Sequence, residues 1–230
     1  MKLCIEHLSK KYGELQVLRD LSLTLEQDAC YCLMSPSGSG KTTLLRILMG
    51  LETADSGRIF TQGGPGWPLR ISAVFQEDRL CPSFSPMENV QMALKEKWKE
   101  EKLAQAMTCL LPKECLTRPV STLSGGMKRR TAILRAVLAP SHMLVMDEPF
   151  TGLDEALKLE VIRYILENRR NRFLIGPPQP FKALCIILRI SGQQKLTVGC
   201  PDFILIPCLF NSQNPEYLIY VQAAPPYGFP

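Results

Sequence analysis

No stretch of this sequence approaches the roughly 18 consecutive apolar residues that a membrane-spanning helix needs, and the opening MKLCIEHLSKKYG lacks the apolar core of a secretory signal. The expectation is a chain that works on the cytoplasmic side. Histidine is nearly missing, with only His7 and His142. The nine cysteines form no CxxC pair, and the closest two, Cys30 and Cys32, sit in an alternating apolar stretch. That pattern predicts free buried thiols in a reducing compartment and argues against a metal cluster. A concentrated charge of one sign is lacking too, although the formal net charge is +5. The densest basic group is Lys128, Arg129, Arg130 and Arg135, on a predicted helix whose other face carries Ala132, Ile133, Ala136 and Val137. With no aromatic residues interleaved, it reads as a solvated helix face, and nucleic acid is not expected as a partner.

What is present is an ordinary globular composition, 46% apolar and 21% charged over 230 residues, enough for one domain with a subdomain. From Leu3 to Leu25 the pattern is β-like, with a turn at Gly13 and alternation through Leu21, Leu23 and Leu25. Cys30 to Met34 reads as a short apolar strand, followed by a Gly/Ser-rich loop and a helical pattern in Leu44, Leu45, Ile47, Leu48 and Leu51. A second strand-like segment, Ile71 to Phe75, ends in polar Gln76-Glu77-Asp78-Arg79. Charged, helix-forming sequence follows from about Met87 to Leu111, then a helix from about Ser124 to Leu138. The strand Met143 to Met146 and an amphipathic helix with Leu157, Val161, Tyr164 and Ile165 restore the strand–helix alternation of an α/β sheet. After Arg172, prolines crowd in and charges thin out. The runs Ile186 to Ile190, Phe203 to Ile206 and Tyr217 to Val221 look strand-like, but prolines at these intervals argue against central strands.

Chemistry concentrates in the loop Ser35-Pro36-Ser37-Gly38-Ser39-Gly40-Lys41-Thr42-Thr43, which matches the phosphate-binding pattern GxxxxGK[ST] except that Ser35 replaces the first glycine. A nucleoside triphosphate needs several backbone N–H groups turned toward its oxygens. Gly38 and Gly40 permit that concave turn, and the helix behind adds its dipole. Lys41 would meet the β and γ phosphates, Thr42 would bind Mg²⁺, and Thr43 would assist phosphate contact. The second half of such a site is an apolar strand ending in acid, and HMLVMDEP, His142 to Pro149, supplies it. Asp147 would hold the metal and Glu148 would orient and polarise the attacking water.

Between these motifs stands LSGGM, Leu123 to Met127, followed by KRRTAILRA. It resembles the LSGGQ signature of ATP-binding cassettes of the ABC transporter family, with Met127 for glutamine. The resemblance covers about residues 1–172. It implies a P-loop NTPase ABC-cassette core of α/β class with an N-terminal antiparallel β subdomain. Residues 1–79 and 141–176 would form the catalytic core, 80–140 a helical subdomain, and 177–230 a divergent tail. It further implies that Ser124, Gly125 and Gly126 grip the γ-phosphate of ATP on an opposite subunit, so that the unit acts as a dimer. Tyr12 stands where the adenine-stacking aromatic is expected. Gln76 resembles the glutamine that touches Mg²⁺ and water, and Thr151 to Asp154 resembles the loop crossing the dimer interface. The implied partners are a second cassette, an integral membrane permease and a solute-binding protein, at the cytoplasmic face of the membrane. The run VFQEDRLCPSFSPMENV is similar to cassettes of the nitrate, sulfonate and taurine importers.

One family element is missing. A histidine that contacts the γ-phosphate is expected after the strand following the Asp154 helix, and Phe173 to Cys185 contains none. Three readings stand side by side: the region has diverged or been displaced by a reading-frame slip; Gln179 partly replaces the histidine; or the cassette binds ATP and hydrolyses it poorly, as a regulatory module would.

Overall fold

The computed structural model describes residues 1–27, 29–34, 40–176 and 204–208. Strand β1 (Lys2–Tyr12) turns at Gly13, which takes φ +56°, into β2 (Leu15–Glu26). Leu21, Leu23 and Leu25 are all buried on one face, as a period of two requires. With β4 (Ser56–Gln62) these strands form an antiparallel sheet in the order β2-β1-β4.

The second sheet runs β5 (Ile71–Val74), β6 (Met143–Met146), β7 (Phe173–Gly176), β3 (Cys30–Met34) and β8 (Ile204–Cys208). The first four strands are parallel to their neighbours and β8 is antiparallel to β3. Strand β6 is buried on both faces, which explains its unbroken apolar text. Met143 and Val145 join a core with Phe173, Ile175, helix α1 (Lys41–Leu48) and the antiparallel sheet. Leu144 and Met146 point into the other core, with Leu174 and the remaining helices. Three layers result, and β6 is the wall they share.

The charged stretch after β5 forms two helices, α2 (Pro86–Gln91) and α3 (Glu100–Met107), separated by residues 92–99. Helix α2 begins with a capping box: Ser85 accepts from the Glu88 N–H, while the Glu88 carboxylate accepts from the Ser85 N–H at 2.8 Å. Asn89, fully buried, ties this helix back to the chain through both the N–H and the carbonyl of Cys81. Helix α4 (Gly125–Leu138) and α5 (Glu155–Asn168) complete the layer.

Helix α4 corrects one expectation. Its basic residues do not form a solvated face. Arg129 is only 3% exposed, Arg130 donates to the Leu110 carbonyl at 2.6 Å, and Arg135 donates to the carbonyls of Arg79 and Asp78 at 2.7 and 3.1 Å. Loop carbonyls lacking a sheet partner need donors, and a guanidinium supplies several from one planar fork. In the proline-rich region, Phe203 to Ile206 falls largely on β8, which carries Pro207 and occupies the sheet edge, where a missing N–H is tolerated. The runs at 186–190 and 217–221 lie outside the described residues.

Candidate functional site

The phosphate-loop pattern begins where β3 stops and ends in the first turn of α1. Ser35, Pro36, Ser37, Gly38 and Ser39 lie outside the described residues. Gly40 precedes α1 at φ +92°, and a Cβ there would stand 2.8 Å from Val17 Cγ1 and 2.9 Å from the Val17 carbonyl oxygen. Both the backbone angle and the space therefore demand glycine. Among the described residues no side chain caps α1, and no acid sits in its first turn. Its leading N–H groups and dipole present positive potential beside Lys41, Thr42 and Thr43, an arrangement suited to an anion.

Asp147 and Glu148 follow β6 directly. The Asp147 N–H donates to the Val74 carbonyl at 2.8 Å, locking the ends of β5 and β6 together. Burial first, then the Glu148 carboxylate, hold the Asp147 carboxyl above the ordinary aspartate range, against the opposing pull of Lys41 and Arg129. The ends of α1 and β6 thus share one electrostatic neighbourhood. Glu148 is exposed and takes φ +48°, a left-handed conformation uncommon for a non-glycine residue. Its carbonyl accepts from Arg129 at 3.0 Å and from the Thr151 hydroxyl at 3.2 Å. Gln76, two residues beyond β5, is exposed, and its carbonyl also accepts from Arg129, at 2.7 Å.

Ser124 caps α4 by accepting from the Met127 N–H at 3.3 Å and remains exposed with Gly125. Nothing lies within 4 Å of a Cβ built on Gly125, while one on Gly126 would touch Leu153 and the Gly152 carbonyl at 3.5 and 3.6 Å. The starts of α4 and α5 are neighbours for that reason. Asp154 serves locally as the cap of α5, accepting from the Leu157 N–H at 2.9 Å. Tyr12 ends β1 at the first hairpin, 45% exposed, with the Lys10 ammonium 5.2 Å from its ring centre. His7 pairs with Asp20 at 2.7 Å on that hairpin, and His142 accepts from the Arg70 N–H at the opposite end of β6 from Asp147. Neither histidine is placed at the strand ends that carry the acids.

The residue that sequence reasoning missed is Arg129. The signal existed: Arg129 precedes Ala132, Ile133, Ala136 and Val137 at i+3, i+4, i+7 and i+8, so helical spacing places it on the apolar face.

A family model described as ABC transporter matches residues 18–151. The chain belongs to that family. The sulfate/thiosulfate import ATP-binding protein CysA of Bacillus cereus (strain ATCC 10987 / NRS 248) is 35% identical over 179 residues, which is 72% of this chain and 50% of that protein. The chain thus spans about half the length of this curated relative. Among solved structures, a putative ABC transporter ATP-binding protein from Pyrococcus furiosus aligns with TM-score 0.65 at 22% identity, over 86% of this chain and 96% of the other. A dimeric ATP-binding cassette in a post-hydrolysis state, bound to ADP and Pi, aligns with TM-score 0.65 at 22% identity, over 76% and 87%. The ABC-cassette fold, with its antiparallel sheet and its parallel sheet flanked by helices, is the one observed here.

Among the described residues no helix is long and apolar enough to cross a membrane, and no group of three or more His, Cys, Asp or Glu is gathered as for a metal. The residues that would hold Mg²⁺ here, were it bound, carry hard oxygens: the Thr42 hydroxyl, the Gln76 side-chain carbonyl and the Asp147 carboxylate. Asp147 is half-buried, with Glu148 beside it and Lys41 and Arg129 near enough to act on it, and its oxygen donors are of the kind that suits a hard divalent cation.

Proposed function

We propose that the chain is the ATP-binding and ATP-hydrolysing subunit of an ABC transporter that closes as a pair of cassettes around ATP-Mg and drives a membrane permease. The observation that carries the reading is the convergence of the start of α1, with Lys41, and the paired acids that follow β6, beside the Gln76 end of the parallel neighbour β5. In this reading, phosphates meet the amides at the start of α1 and the Lys41 ammonium, and adenine stacks on Tyr12. Mg²⁺, when bound, neutralises charge on the β and γ oxygens. Glu148 holds and polarises water, Gln76 helps orient it, and Ser124 with Gly125 and Gly126 receives the γ-phosphate held by a second copy. Residues 1–79 and 141–176 act as the catalytic core, 80–140 as the helical subdomain bearing the signature, and 177–230 as a divergent tail.

The substrate class we infer is a small anion such as nitrate, a sulfonate or taurine, taken in with a permease and a solute-binding protein at the cytoplasmic membrane face. The name of the Bacillus cereus relative, a sulfate/thiosulfate import ATP-binding protein, supports the anion class. A permease segment would seat in the cavity of about 630 Å³ lined by Phe84, Met87, Met92, Trp98 and Leu103 on the helical subdomain. The test is steady-state ATPase of the full chain beside Glu148→Gln, which is expected to lose turnover by roughly 10²-fold or more. Turnover indifferent to Glu148→Gln sinks the reading. Copurified permease and binding protein, with solute-stimulated ATPase, would name the substrate.

One observation favours a second reading, an ATP-sensing module with impaired hydrolysis: the sequence has no histidine after His142. Gln179, the stand-in considered above, lies outside the described residues. ATP affinity without Glu148-dependent turnover would select this alternative.

A further inference from the structure

Arg129 lies five residues into the signature helix, about 7 Å along its axis from Ser124. Its guanidinium is buried, and the terminal nitrogens engage four acceptors. Nη1 donates to the Phe75 carbonyl at 2.7 Å and to the Asp78 carboxylate at 3.1 Å. Nη2 donates to the carbonyls of Gln76 at 2.7 Å and Glu148 at 3.0 Å. Three of the four are main-chain groups at the ends of β5 and β6, so the contact fixes backbone position whatever the side chains there do. A left-handed glutamate persists only where its surroundings over-determine it, and the bonds from Arg129 and Thr151 to the Glu148 carbonyl do so. Lysine, a single ammonium on a flexible stem, cannot span these acceptors, and glutamine offers two N–H groups where four are used.

We propose that Arg129 is a positioning residue for hydrolysis: it couples the start of α4, carrying Ser124 to Gly126, to the backbone of Gln76 and Glu148 in the same chain. This role rests on the ATPase reading. A shift of the signature helix on meeting a nucleotide pulls on three carbonyls through one rigid planar group, and the water-orienting side chains move with them. ATP binding at α1 touches none of these bonds, so turnover and affinity separate.

The experiment uses the full chain, with ATPase kinetics, affinity for a fluorescent ATP analogue and thermal melts. Arg129→Gln is expected to lower kcat by about tenfold to a hundredfold, the range for a misplaced catalytic group. KM and nucleotide affinity stay within about threefold of the parent, since none of the Arg129 hydrogen bonds reaches a group on α1. Arg129→Lys falls between the two, and Arg129→Gln adds nothing to Glu148→Gln, because both act on one step. Wild-type kcat in Arg129→Gln, a loss confined to KM, or a multiplicative loss in the double variant overturns the role. Should Arg129→Gln fail to fold, Asp78→Asn decides: a lower kcat at constant KM supports the role, and an unchanged kcat overturns it. The wild-type and Glu148→Gln pair is read first. Absence of Glu148-dependent turnover there overturns the ATPase reading and the role with it, whereas its presence leaves Arg129 to be judged alone.

Discussion

Exchanging a glycine for alanine at the starts of two helices should have opposite effects, and the difference can be worked from the surroundings. At Gly40 the φ of +92° charges any L side chain roughly 1–3 kcal/mol of backbone strain. The new methyl would also press on Val17 Cγ1 at 2.8 Å and the Val17 carbonyl at 2.9 Å. The carbonyl belongs to β2 and cannot rotate away, so relief requires a backbone shift costing about 1–3 kcal/mol. Lower entropy of the unfolded alanine chain returns about 0.4–1 kcal/mol. The net loss is about 1–6 kcal/mol, or roughly 2–22 °C in Tm for a chain of this size. At Gly125 a Cβ meets nothing within 4 Å and the residue is the first of a helix. There alanine should gain up to about 1 kcal/mol, roughly 2–4 °C. Differential scanning fluorimetry without nucleotide measures both. Because Gly40 immediately precedes Lys41, Gly40→Ala should also weaken binding of a fluorescent ATP analogue. A Tm for Gly40→Ala within about 1 °C of the parent would refute the reasoning, since it would mean that β2 yields where packing says it cannot.

Glu148→Gly should melt above Glu148→Ala by about 1 kcal/mol, because glycine adopts φ +48° without the strain alanine keeps; equal melts would show that the left-handed turn is unstrained. Ser124→Ala removes the side-chain acceptor of the α4 cap and should cost about 1 kcal/mol in urea unfolding. The Glu88 carboxyl is held below the ordinary glutamate range by the N–H and hydroxyl of Ser85. Its contribution is therefore present above the unfolded pKa of about 4.3 and is lost as pH falls through the lower folded value. The Tm gap between parent and Glu88→Ala should narrow from pH 7 toward pH 3.5; a constant gap would place the cap's worth in packing.

Those elements whose text carried one consistent period were legible. Met143 to Met146 reads as a strand and is one, and Ser124 marks the start of α4 because serine before glycine-rich helical text has a physical use as a cap. That Lys41 and Asp147 should lie in one neighbourhood was equally readable, since a strand-loop-helix and a strand ending in acid each need the other. Arg129 was not read correctly, although its spacing placed it among alanines and isoleucine. Charge suggested solvent, whereas the deciding fact was three loop carbonyls brought under the helix by tertiary packing. The left-handed backbone of Glu148 has no signature in composition at all, because glutamate rarely adopts it unless neighbours enforce it. Asn89 was overlooked for a related reason: its amide answers the groups of Cys81, eight residues away.

The antiparallel pairing of β8 with β3 gives the proline-rich region a protective use. Strand β3 leads directly into the phosphate loop, and without β8 its outer rim would present a row of backbone donors and acceptors open to any extended chain. A strand with Pro207 opposite Tyr31 is a poor template for further pairing, since proline offers no N–H to a newcomer. The sheet is thereby terminated by a segment that can join it but propagates pairing weakly. A late part of the chain, remote in sequence from every nucleotide motif, shields the strand on which the phosphate loop is mounted from intermolecular β-pairing.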